Sequence, residues 1–166
     1  LEFMRDTQAV AAGIIVNGQL SGAVIEENKR AFVAEFINRQ EFQTSYMDAN
    51  NPAYVNRLFG NTNVNASQQD RAALVAGLDN GTETRASVLQ KIVDGVVVVS
   101  EGNQQFTTTY GKAFYDAEFN NAFVLMEYFG YMRRDPDEAG FLHWLGKLNH
   151  YGNYIDAEMV RSFIVS

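Results

Sequence analysis

The triplet Ala-aromatic-Val recurs at Ala31-Phe32-Val33, Ala53-Tyr54-Val55 and Ala122-Phe123-Val124, each time in a stretch whose apolar residues fall at helical spacing. That recurrence constrains the fold more than any other feature, because a helix–turn–helix pattern met twice in one chain implies stacked helical units. Asn51 to Asp94 follows the same order of parts as Asn120 to Ser166. Each has an Ala-aromatic-Val helix, a polar turn, a capped helix ending at Leu78 or Leu148, then a helix carrying Val88 and Ile92 or Val160 and Ile164. The offset drifts by a few residues, so the duplication is degenerate. Chance recurrence of a short helical motif is the competing account.

The remaining pattern is also helical. Apolar residues at 4–16 and 26–46 keep a period near 3.6, with Phe32, Val33, Phe36, Ile37 and Phe42 on one stripe. Asn50-Asn51-Pro52 predicts a helix start, and Tyr54, Val55, Leu58 and Phe59 its core face up to Gly60. Ser67 with Asp70 resembles a capping box opening a helix to Asn80-Gly81, and Thr84 to Asp94 is a further helix closed by Gly95. Val96–Ser100 breaks the pattern. With Glu101-Gly102-Asn103 as a turn and Gln105–Tyr110 as return strand it forms either a β-hairpin near 96–110 or an irregular excursion. Helices over 113–132 and 155–166 complete the chain. The expected fold is mainly α, a single compact multi-helix domain over 1–166, with sub-units about 26–95 and 113–166 joined by 96–112.

Leu1-Glu2-Phe3 ahead of Met4 reads as a cloning remnant, and the chain stops inside an amphipathic pattern at Met159–Ser166, as a fragment of a longer protein would. Its 166 residues, with 46% hydrophobic side chains, suffice for a core without metal or disulfide staples. The absence of Cys removes thiol catalysis, Cys-based zinc sites and disulfides together. A net charge of −7 argues against a non-specific grip on nucleic acid or anionic lipid. The apolar run Ala9–Val16 is too short to span a bilayer, so no membrane insertion is expected.

Little in the sequence announces chemistry. Asp135, Asp137 and Gly140 mimic the start of a calcium loop, but its twelfth position would be Gly146 rather than Glu. Capping is the more economical reading, with Asp135 as N-cap and Pro136 at the first helical position. Arg133 and Arg134 suit the C-terminal end of the preceding helix. His143 and His150 are roughly 10 Å apart if both lie on one helix, too far to share a metal. No nucleophile elbow, phosphate loop, dinucleotide fingerprint or zinc-protease pair is present. Glycoside hydrolysis, which needs only two carboxylates placed by the fold, stays open. Trp144 and most aromatics read as core, while Tyr110, Tyr151 and Tyr154 lie near turns that could line a surface groove.

Several motifs resemble a family. Asn121-Ala122-Phe123-Val124, the run Tyr128-Phe129-Gly130-Tyr131-Met132-Arg133-Arg134-Asp135-Pro136-Asp137, Gly140-Phe141, Trp144-Leu145 with Lys147-Leu148-Asn149, and Phe163-Ile164-Val165-Ser166 resemble the bacterial helical domain of unknown function often found in large secreted, surface and repeat-containing proteins. That family is in turn similar to the phycobilisome linker-polypeptide domain, an all-helical adaptor between proteins. The resemblance covers 119–166 and extends weakly over 26–94, where Phe36-Ile37-Asn38-Arg39-Gln40-Glu41-Phe42 is similar to the family's Phe-Ile-x-Ser-x-Glu-Phe ending. It implies a helical module without known catalytic residues, carried in exported proteins.

The expected role is a non-catalytic interaction or scaffolding module of a larger secreted or cell-envelope protein, binding another protein or itself. A surface of Tyr131, Arg133, Arg134, Tyr151 and Tyr154 is the candidate contact, with no metal or cofactor. A carbohydrate-binding module is the alternative, and a cell-wall glycan hydrolase the third.

Overall fold

Capping signals set most of the helix starts. The computed structural model describes residues 2–14, 21–100 and 103–165. They form α1 (Glu2–Ala11), α2 (Ser21–Phe36), α3 (Gln40–Tyr46), α4 (Asn51–Asn61), α5 (Gln68–Asn80), α6 (Arg85–Val93), β1 (Val96–Ser100), β2 (Asn103–Phe106), α7 (Thr109–Glu127), a π turn (Tyr128–Met132), α8 (Glu138–Tyr151) and α9 (Met159–Ile164). The architecture is mainly α. Among the described residues, no helix is long and apolar enough to cross a membrane. The chain divides into two compact units, Leu1–Tyr115 and Asp116–Ser166.

In the first unit Asn50 caps α4 through Ala53 N, Ser67 caps α5 through Asp70 N, and Thr84 with Ser87 forms a reciprocal capping box on α6. The expected face of α4 is buried at Tyr54, Val55, Leu58 and Phe59. The 26–46 stretch is two helices rather than one. Ile37, Asn38 and Arg39 turn the chain so that Phe42 and Tyr46 of α3 fold onto Tyr54, with ring centroids 6.4 and 5.5 Å away. Arg85 closes this corner. Its guanidinium donates to the carbonyls of Tyr46 and Ala49 and lies 4.8 Å from the Tyr54 ring centroid.

The second unit repeats the plan. Asn51 and Asn120 each precede the triplet alanine by two, and each donates from Nδ2 at 2.7 Å to a side chain near the end of the next helix, Asp79 and Asn149 respectively. Three residues after Gly60 and Gly130 the backbone turns left-handed, at Asn63 (φ 52°) and Arg133 (φ 53°). Four residues later come the next N-caps, Ser67 and Asp137. Val55 and Val124 are both fully buried, and Phe59 and Tyr128 both lie in a core. Seven positions separate Ala53 from Gly60 and eight separate Ala122 from Gly130. The π turn takes up the extra residue, since a single insertion in a helix is accommodated by one wider turn.

Three expectations on element boundaries need correction. Asp135 is not the N-cap of α8; Asp137 is, its Oδ1 accepting from Gly140 N at 2.8 Å. The cap falls two residues later than expected, so that Pro136 precedes the cap rather than standing at the first helical position. The last helix is shorter than 155–166, and its buried pair is Met159 and Phe163 rather than Val160 and Ile164. The hairpin forms, antiparallel, with Val96 opposite Phe106 and Val98 opposite Gln104. Its return strand ends at Phe106, not Tyr110, and 101–102 of the expected turn lie outside the described residues.

The stretch 96–112, expected as a connector, belongs to the first unit. Gly95 and Gly111 meet backbone to backbone, so that a Cβ on Gly111 would stand 2.6 Å from Gly95 Cα. Thr107 N donates to Gly95 O at 2.7 Å, and Tyr110 packs edge-on against Phe59 at 5.4 Å. Tyr110 is therefore core, and not part of a surface groove.

Candidate interaction surface

The remaining candidates, Tyr131, Arg133, Arg134, Tyr151 and Tyr154, are all exposed. They do not form one cluster of contacts. Arg133, Arg134 and Tyr131 belong to the corner between the π turn and α8. Arg134 lies over the Tyr128 ring at 5.2 Å, donates to Asp135 O at 3.1 Å and stands 3.6 Å from Asp137. It thus braces the corner. Arg133, in its left-handed conformation, has no ion-pair partner among the described residues. The amide of Gly140, and then Arg134, hold the Asp137 carboxyl below the usual range, while burial pushes the Tyr128 phenol up.

Tyr151 and Tyr154 flank the turn after α8. Gly152, at φ 73°, ends that helix in a left-handed conformation that glycine adopts without strain. Asn153 Oδ1 then accepts from the amides of Ile155 and Asp156 at 3.0 and 2.9 Å, and Asn153 Nδ2 donates to Asp156 at 2.6 Å. Such side-chain turns fix the backbone locally. Ala157 and Met159, both fully buried, anchor the far side. Tyr154 is held flat on Phe123, with centroids 5.4 Å apart and an interplanar angle of 22°.

Apolar side chains are exposed in this turn and at the end of α9. Ile155 is 70% exposed, Ile164 63% and Val165 76%. Read as part of one amphipathic helix, Ile164 belongs to the core face. The irregular 152–158 segment shifts the phase by one residue and turns it outward. Tyr154, Ile155, Glu158, Val160 and Arg161 line a shallow cavity of about 310 Å³.

The chain matches no family model, no curated protein and no solved structure.

The groups that chemistry would need are dispersed. Burial raises the carboxyls of Asp94 and Glu127, the former against the pull of its 2.9 Å ion pair with Lys29. Neither lines the 310 Å³ cavity or a further cavity of about 390 Å³ whose lining includes Glu2, Asp6, Glu41 and Arg39. There Arg39 forks onto Asp6 at 2.7 and 2.9 Å and holds that carboxyl below its usual range. Among the described residues no three His, Cys, Asp or Glu side chains are grouped to hold a metal ion. His143 and His150 share α8 and pack on neighbouring rings, Trp144 and Tyr151.

Proposed function

We propose that this chain is a non-catalytic interaction or scaffolding module of a larger secreted or cell-envelope bacterial protein. The carrying observation is where the apolar surface lies. Among the described residues, the exposed large apolar side chains of the first unit are Phe3 and Met47, whereas the second unit exposes Phe119, Met126, Tyr131, Leu142, Tyr151, Tyr154, Ile155, Ile164 and Val165. Apolar side chains concentrated on part of a folded chain are the mark of a protein contact. The resemblance of 119–166 to helical adaptor-like domains of exported proteins supports the same role. So does the polar surface, with 15 Asn and 9 Gln, of a kind common in exported bacterial proteins.

Affinity capture tests this reading. The immobilised chain and an Ile155→Asp variant are exposed to solubilised envelope of the source bacterium, and the retained proteins and glycans are compared. A saturable protein partner, bound by the parent and released by the variant, is expected. Retention of glycan alone would overturn the reading in favour of a carbohydrate-binding module that uses its exposed Tyr rings.

A further inference from the structure

Lys29 sits between two carboxylates of the first unit. Its ammonium donates to Glu26 Oε1 at 3.1 Å, one turn earlier on α2, and stands 2.9 Å from Oδ1 of Asp94, the C-terminal cap of α6. The side chains of Lys29, Glu26 and Asp94 are only 17%, 24% and 22% exposed. Together they supply the parts of an amide condensation: a primary amine, a carboxyl carbon to attack and a second carboxyl to carry protons. Neighbouring ion pairs lack one part or another. Arg39, Arg57 and Arg134 present guanidiniums, which stay protonated. Lys91 pairs with Glu83, but its side chain is 44% exposed.

Two carboxylates and one ammonium leave this cluster with an excess negative charge where little water reaches it. Burial raises the Asp94 carboxyl against the pull of Lys29, and the charge of Glu26 adds to the rise. A protonated Asp94 has a hydroxyl that can leave as water. Burial also draws the Lys29 ammonium down, but Asp94 and Glu26 more than offset this, so the charged amine is its resting form. Lys29 must therefore hand a proton to a neighbour before it can attack, which makes the reaction slow.

The reacting groups are held in place. Asp94 N donates to Gln90 O at 2.8 Å, and Gly95, the next residue, lies backbone to backbone against Gly111 while its carbonyl accepts from Thr107 N. On α2, the buried Val33 anchors the turn after Lys29. Holding an amine against a carboxyl replaces a chance encounter with an effective concentration of roughly 10⁵ M or more.

We infer that Lys29 Nζ and Asp94 Cγ join in an amide bond, with Glu26 as the proton carrier. Lys29 gives one proton to Glu26, and its nitrogen lone pair attacks Asp94 Cγ to form the C–N bond. A second proton passes from that nitrogen to the Asp94 hydroxyl, the C–O bond breaks and water departs. Amine and acid give amide and water, with no other reactant. The bond ties α2 to the end of α6 in a chain that has no Cys for a disulfide, and it restricts the unfolded chain as a disulfide would. This cross-link is independent of the interaction-module reading.

Intact mass spectrometry of the full chain, fresh and after prolonged warm incubation, tests the bond. A species lighter than the sequence by one water is expected to accumulate, and its digest should contain a branched peptide joining the Lys29 and Asp94 segments. Lys29→Arg keeps the charge but not the nucleophile and should retain the full mass. Glu26→Gln leaves the Lys29–Asp94 pair in place and should slow the bond by about a hundredfold. Full mass in the parent at every time overturns the inference. So does a water loss that persists in Lys29→Arg or comes without the branched peptide, since ring closure at Asp94-Gly95 would also release water. The branched peptide is read in the parent chain, so the outcome does not depend on how well either variant folds.

Discussion

Glu127 stands in the second unit at the helix position that Leu58 holds in the first, each five residues beyond the alanine of its triplet. Leu58 is 2% exposed. Glu127 Oε2 is buried without a hydrogen-bond partner among the described residues. The π turn begins at the next residues, so the acid and the extra residue mark one departure from the first copy. Replacing a core leucine with a half-buried carboxyl gives up apolar burial and leaves a polar atom unmatched.

Glu127→Leu is therefore expected to stabilise the chain by about 1 kcal/mol, measured by denaturant unfolding at neutral pH. Burial raises the folded-state carboxyl above its unfolded value. Its protonation thus favours the folded state, a contribution fully present below the unfolded value of about 4.3 and lost as pH rises through the raised one. The stability difference between the parent and Glu127→Gln should narrow on acidification. A difference flat between about pH 4 and 7 would mean that the carboxyl is solvated in the folded chain.

Gly140→Ala is expected to destabilise by about 1–3 kcal/mol, because the new methyl group runs into Tyr128 Oη and the Asp137 carboxylate. Tyr128→Phe removes the first obstacle. Thermal melts of the single and double variants should show partial rescue, which a general loss of helix capping would not give.

Gly95 and Gly111 offer no such rescue, since the obstacle to a side chain at either is the other's backbone. Gly111→Ala is expected to cost about 2 kcal/mol or more, read as a lower denaturant midpoint. Hydrogen exchange should locate the loosening at 95–111, where Thr107 N now donates to Gly95 O.

The cap assignment separates two neighbouring acids. Asp137→Ala should lower the melting midpoint, whereas Asp135→Ala should leave it nearly unchanged, since only Asp137 accepts from the Gly140 amide. The lowered Asp137 carboxyl contributes stability above the ordinary aspartate range, and loses it as pH falls through the folded value. The gap between the two variants should close in acid.

Much of the helical plan was legible because capping and periodicity act over a few residues. Asn50, Ser67 and Thr84 each cap the helix assigned to them, and the Tyr54 face of α4 is buried as its spacing implies. Two of the errors share one cause. At Tyr110 and Ile37–Arg39 the local pattern permitted more than one arrangement, and a distant partner chose between them: Phe59 against Tyr110, and Tyr54 against Phe42 and Tyr46.

The sequence by itself determined that this is a mainly helical chain, because helix period and caps are written residue by residue, and the alanine-aromatic-valine triplet offered a degenerate repeat of 51–94 in 120–166 against which chance recurrence still stood. It also held five tyrosine and arginine candidates that prove exposed. Only the tertiary structure decided that Arg134 braces a corner, that Glu127 fills a leucine's place, and that Ile155 and Ile164 face outward. Each of those outcomes depends on which residues far apart in sequence come to share one space, and burial is a property of that shared space rather than of any local run of residues.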